Sequence, residues 1–104
     1  MTDSVKKALD TYVDYISRQE GVLQIYLFGS CAYGTTHERS DIDLMVIVED
    51  SKNTGKIAVK ISKGLANVEV PLDILVNRKT TFYNAAEELT IQNSIKNTGV
   101  LLYG

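Results

Sequence analysis

The sequence predicts an α/β (α+β) fold: a small mixed sheet of three to four strands packed with helices, in the order α-β-α-β-α-β-α. It forms a single domain over residues 1–104. Three observations predict this. Apolar residues recur at helical spacing in separate stretches. Three short runs are rich in branched and aromatic side chains. The two kinds of segment alternate along the chain. A length of 104 residues allows one modest core, and 44% hydrophobic with 23% charged residues is an ordinary soluble balance.

Val5, Ala8, Leu9, Tyr12, Val13 and Ile16 make one apolar stripe over residues 4–19, a first helix that ends at Gly21. Val22–Phe28 (VLQIYLF) reads as a buried strand, broken by Gly29-Ser30. Residues 31–36 read as a helical turn, and residues 35–40 as a polar loop. The second strand is 41–48. Ile57, Ile61 and Leu65, with Ala58 beside them, mark a second helix that closes near Asn67. Residues 68–76 (VEVPLDILV) form a third strand, in which Pro71, lacking an N–H, points to an edge or a bulge. Thr80 or Thr81 caps a last helix running to about Lys96, which Gly99 ends. Val100–Tyr103 then either adds a strand or packs on the core. The link from Phe28 to Asp41 is about a dozen residues, short for a parallel crossover carrying a full helix, so strands one and two pair antiparallel. That pairing sets Gly29 and Ser30 beside Asp41 and Asp43.

Residues i and i+2 of a strand share a face, so Asp41 and Asp43 project together. Two ionised carboxylates side by side repel, and a divalent cation removes the cost. Mg²⁺ fits, since it takes hard oxygen ligands from one or two carboxylates and substrate phosphates. Asp73, within Leu72-Asp73-Ile74-Leu75, stands alone in an apolar strand, which is expensive unless it is paired or metal-bound. With strand three next to strand two, Asp73 joins the pair, and three carboxylates can hold two Mg²⁺ ions for chemistry at phosphorus. Gly29 lets a ligand approach the backbone, and Ser30 with the following turn offers donors to phosphate. Each feature alone has a plain reading as a turn or a solvated strand residue; together they favour a nucleotide site. A Walker A loop is excluded, because Thr35 stands after Gly34 where a lysine is needed.

The pattern Gly-Ser, ten residues, Asp-x-Asp, then a distant aspartate in an apolar strand resembles the nucleotidyltransferase superfamily that includes DNA polymerase β. The short chain is similar to its minimal nucleotidyltransferase branch, the MNT-type proteins often found as antitoxins beside HEPN toxins. The resemblance implies the nucleotidyltransferase fold, with Asp41, Asp43 and Asp73 as catalytic residues and ligands of two Mg²⁺ ions. It implies that Gly29 and Ser30 contact the phosphates of a nucleoside triphosphate, with ATP the donor. Family members often carry an arginine where this chain has Tyr33; Arg39, in the same loop, is the candidate to compensate. Larger members add a helical domain, so the resemblance implies that the missing contacts come from a partner or a second copy, or that nucleotide is bound weakly. The implied acceptor is a tyrosine hydroxyl on a HEPN-type toxin.

A formal net charge of −2 argues against stand-alone nucleic-acid binding. One cysteine, Cys31, and no signal-peptide pattern favour a reducing cytoplasm, and no apolar run is long enough to span a membrane. His37 and Cys31 are not promoted to catalysis; Lys52, Lys56, Lys60 and Lys63 read as a solvated face. Two functional readings follow. One is a Mg²⁺-dependent enzyme that moves AMP from ATP to a hydroxyl of a partner protein. The alternative is an antitoxin-like module that neutralises its partner by contact.

Overall fold

The computed structural model describes residues 2–29, 32 and 41–104. Eight elements follow one another: α1 (Asp3–Ser17), β1 (Val22–Phe28), β2 (Ile42–Val48), α2 (Thr54–Gly64), β3 (Leu72–Arg78), α3 (Lys79–Ala85), α4 (Ile91–Thr98) and β4 (Val100–Tyr103). The four strands form one sheet in the order β3-β2-β1-β4. β1 runs antiparallel to β2 and to β4, while β3 runs parallel to β2. The sheet is therefore mixed, as expected, and the apolar tail adds a strand. The helical turn expected over 31–36 falls almost wholly outside the described residues.

α1 forms because Val5, Leu9, Tyr12 and Ile16 line one face, and because Thr2 caps its start by accepting from the Val5 N–H. α2 is started the same way by the Asn53 side chain, which accepts from the Lys56 N–H. It supplies the crossover that a parallel β2–β3 pair requires. Gly21, at a positive φ of 87°, turns the chain from α1 into β1.

β2 is one of two interior strands and is buried on both faces, which is why it reads Ile-Asp-Leu-Met-Val-Ile-Val without strict alternation. Ile42, Leu44, Val46 and Val48 pack towards α1 and α2, joined by Ile25, Leu27, Ile61 and Leu65. Met45 and Ile47 face the other way, into a smaller cluster with Tyr26, Phe82 and Ile95 from β1, α3 and α4. Phe82 stacks on Tyr26 with ring centroids 5.9 Å apart and meets Tyr83 edge-on at 5.1 Å. No helix among the described residues is long and apolar enough to cross a membrane.

Two expectations need correction. The third strand starts at Leu72, not at Val68: the Val68 N–H closes a turn on the Leu65 carbonyl, and the Tyr12 hydroxyl donates to the Val70 carbonyl. These bonds withdraw 68–70 from the ladder. Pro71 stands just ahead of β3, which is an edge strand, one of the two places its missing N–H suggested. The last helix is two helices, and neither Thr80 nor Thr81 is a cap. Arg78 occupies the cap position of α3 without a side-chain capping bond, while the Thr80 N–H and hydroxyl both donate to the Asp50 carboxylate. Thr90 starts α4, accepting from the Asn93 N–H at 3.2 Å.

Candidate active site

The carboxylates meet at one end of the sheet because of its register. Asp43 of β2 lies opposite Phe28 on β1 and beside Asp73 on β3. All three side chains share the face that carries Met45, with Asp41 two residues ahead of Asp43. α3 and α4 cover the middle of this face, where Met45 and Ile47 are buried. They leave its first row open: Asp73 and Asp41 are exposed and Asp43 is half-buried. An uncovered row of carboxylates beside a packed core is a site to which a ligand has access.

The charges feel one another. The Asp43 carboxyl is pushed above the usual carboxylate range, first by burial and then by the neighbouring charges of Asp73 and Asp41. A cation arriving here would relieve that repulsion. The donor set, all carboxylate oxygen, suits a hard ion such as Mg²⁺. Among the described residues, no three acidic, histidine or cysteine side chains are gathered closely enough to hold an ion by themselves. A bound ion would therefore have to draw the carboxylates inward or share its coordination with a substrate.

Gly29 is built into this row. Its φ of 74° lies in the left-handed region, and a Cβ there would collide with Oδ2 of Asp43. The end of β1 and the Asp43 carboxylate of β2 thus adjoin, as the antiparallel pairing predicts. Ser30 and Arg39, the other two residues assigned to the nucleotide, lie outside the described residues, as do Cys31, Tyr33 and His37.

Three contributors escaped the sequence reading. Phe28 flanks Asp43 and packs on the Tyr26–Phe82 cluster, forming an apolar wall on one side. Leu75, two residues beyond Asp73 on the same face, is 40% exposed although its β2 neighbour Met45 is fully buried. Tyr12, read from its spacing as core, also holds the Val70 carbonyl and so anchors the approach to β3 and Asp73. A tyrosine on an apolar stripe signals a hydrogen-bond partner but does not say which. The lysines, by contrast, lie away from the carboxylates. Lys56, Lys60 and Lys63 line an open groove of about 690 Å³ along α2, and Lys52 pairs with Glu20 at 3.0 Å.

A mixed sheet with a Gly turn facing a row of aspartates across neighbouring strands defines a class of phosphoryl-handling domains. Residues 11–104 match the family model for polymerase beta, nucleotidyltransferase, and the chain belongs to that family. Solved structures share the fold. A candidate nucleotidyltransferase from Sulfolobus solfataricus superposes with a TM-score of 0.61 at 17% identity, over 97% of this chain and 86% of its own. A chain of a toxin–antitoxin crystallised with AMP-PNP gives 0.55 at 20% identity, over 99% of this chain and 74% of its own. A chain of a mutant of the toxin–antitoxin MntA-HpeT also gives 0.55, at 21% identity and with the same coverage. No curated protein matches this sequence.

Proposed function

We propose that the protein is a minimal nucleotidyltransferase that moves a nucleoside monophosphate, AMP from ATP, onto a hydroxyl of a partner protein. The observation that carries this reading is the register of β1, β2 and β3, which sets Gly29, Asp43 and Asp73 side by side at the open end of one face. Family membership supports the reaction class. The fold shared with a toxin–antitoxin chain crystallised with AMP-PNP supports an adenine nucleotide and a toxin partner. In this reading the partner is a HEPN-type toxin and the acceptor a tyrosine, in the cytoplasm.

Gly29 and Ser30 receive the triphosphate tail where the backbone has no side chain in the way. Arg39 supplies positive charge to the phosphates. Asp41, Asp43 and Asp73 would hold Mg²⁺, which offsets the charge that develops at the transferring phosphorus. Asp73, exposed at the outer side of the row, is nearest the acceptor. The acceptor oxygen bonds to the α-phosphorus, the bond from that phosphorus to the bridging oxygen breaks, pyrophosphate leaves, and the hydroxyl proton passes to Asp73 or solvent. Phe28 and the core beneath keep the row in place, so catalysis is mostly positioning.

An extract of the host, supplied with Mg²⁺ and ATP labelled on the α-phosphate, tests this directly. A labelled protein seen with the native chain, absent with Asp41→Asn/Asp43→Asn and absent when the label sits on the γ-phosphate, is the expected result. The second reading, neutralisation by contact alone, draws on the fold shared with chains of toxin–antitoxin complexes. It predicts a partner that co-purifies equally with both versions while nothing is labelled.

A further inference from the structure

We infer that the outer edge of β3 is a docking line for the acceptor: an extended polypeptide segment adds there as a fifth strand and brings a hydroxyl-bearing side chain beside Asp73. The role given to that hydroxyl rests on the transferase reading above; the docking itself does not.

Among the described residues β3 is an edge strand, with β2 on one side and no strand on the other. The Ile42 N–H donates to the Pro71 carbonyl at 2.9 Å, so Pro71 turns its main chain towards β2. Successive residues of a strand turn their main-chain groups to opposite sides, so Asp73, Leu75 and Asn77 bond inward while Leu72, Ile74 and Val76 point outward. At the far end the edge is closed: the Val76 carbonyl accepts from its neighbour Asn77, and the Arg78 side chain is tied to the Lys52 carbonyl. Among the described residues, no hydrogen bond meets the outward main-chain groups of Leu72 and Ile74. Those groups flank Asp73. An open edge of this kind is a template for another strand, with main-chain bonds giving affinity and alternate side chains giving selectivity.

The register selects what the segment carries. A residue placed beside Asp73 on a new strand has its Cβ about 4.5–5.5 Å from that of its neighbour and shares its face. That face is uncovered there: Asp73 and Leu75 are exposed, whereas Leu72, Ile74 and Val76 pack back against the α2 side. The hydroxyl would thus enter the open carboxylate row, and an apolar side chain two positions along would cover Leu75. Glu69, Asp41 and Asp73 are all exposed around the start of β3, so the segment should carry lysine or arginine near its hydroxyl. The opposite edge, β4, has an irregular register with β1 and carries no carboxylate.

The test uses the full chain, isotopically labelled for amide NMR, and a short synthetic peptide with a central tyrosine, valines two positions to either side and lysines at its ends. A second copy of the peptide is N-methylated on alternate amides. The inference expects the Leu72 and Ile74 amides to shift and gain protection from exchange, with affinity about tenfold or more weaker for the methylated peptide, the loss of two main-chain bonds. Ile74→Pro, which removes an outward donor and no β2 bond, should weaken binding similarly. Shifts confined to β4 or α2, equal binding of both peptides, or no perturbation at β3 would overturn it. Docking without transfer of labelled AMP to the tyrosine would support the edge as a docking line and count against the transferase reading instead.

Discussion

Under the proposed function, Asp43 is the residue on which stability and activity pull apart. Its carboxyl is pushed upward by burial and by the Asp73 and Asp41 charges. A group that binds its proton more tightly when folded loses stability as pH rises from the unfolded value, about 3.9, through the higher folded one. At neutral pH the charged form is a standing cost. Asp43→Asn removes the charge at nearly constant shape. It should raise the melting temperature at neutral pH by a few degrees, the scale of about 0.2–1 kcal/mol for a relieved like-charge neighbour, and abolish transfer. Scanning calorimetry at pH 7 and pH 4 checks this, since the gain should shrink at the lower pH. Gly29→Ala should behave in the opposite sense. A left-handed residue with a Cβ costs about 1–2 kcal/mol, and here that Cβ also meets Asp43. Both stability and transfer should fall together, as chemical denaturation and the labelling assay would read.

At the scale of elements, the link between β2 and α3 runs through Asp50. Its carboxylate accepts from the Thr80 hydroxyl and N–H, which hold its pKa below the usual range, with Lys79 and Arg78 adding positive charge nearby. A depressed carboxyl stabilises the fold above its unfolded pKa, and the contribution disappears as pH falls through the folded one. Asp50→Asn should therefore lower stability at neutral pH but leave it nearly unchanged near pH 2. The difference between the two acid-unfolding curves measures this. Such tertiary bonds also mark where the sequence was silent. The α1 stripe and the antiparallel β1–β2 pair were legible, one from spacing and one from a link too short for a crossover. The break between α3 and α4 was not, because residues 86–90 contain neither glycine nor proline. It is made by Thr90, whose hydroxyl reaches the Ala85 carbonyl, and by Asn93, which holds the Ala86 carbonyl. The carboxylates of the candidate site stood out in the sequence, Asp73 because aspartate is costly in an apolar strand and Asp41 with Asp43 because of their spacing. Phe28 and Leu75 were not, because their roles come from register and from which part of the face the helices leave bare.

For the whole molecule, two clusters on opposite faces of one thin sheet must hold the site together. Phe82, fully buried, joins α3 to β1 and β2 in the smaller cluster. Phe82→Ala should cost about 3–5 kcal/mol. That is a large fraction of the roughly 5–15 kcal/mol typical of a domain, so the isolated variant should melt near working temperature. A bound partner should recover part of the loss by mass action, a rise in melting temperature that grows with partner concentration. The candidate site lies where the two clusters end, and among the described residues the helices leave that row of carboxylates uncovered. That geometry explains why the same protein can be read as a transferase and as a module that needs a partner.

The central claim is that the row of Gly29, Asp41, Asp43 and Asp73 handles a nucleotide. The most direct measurement is the equilibrium binding of a non-hydrolysable ATP analogue, with and without Mg²⁺, to the native chain and to Asp43→Asn. The account predicts Mg²⁺-dependent binding to the native chain and at least a roughly tenfold loss in the variant, a difference of about 1.4 kcal/mol, alongside the variant's expected gain in stability. Equal affinity for the two proteins, or binding indifferent to Mg²⁺, would contradict it.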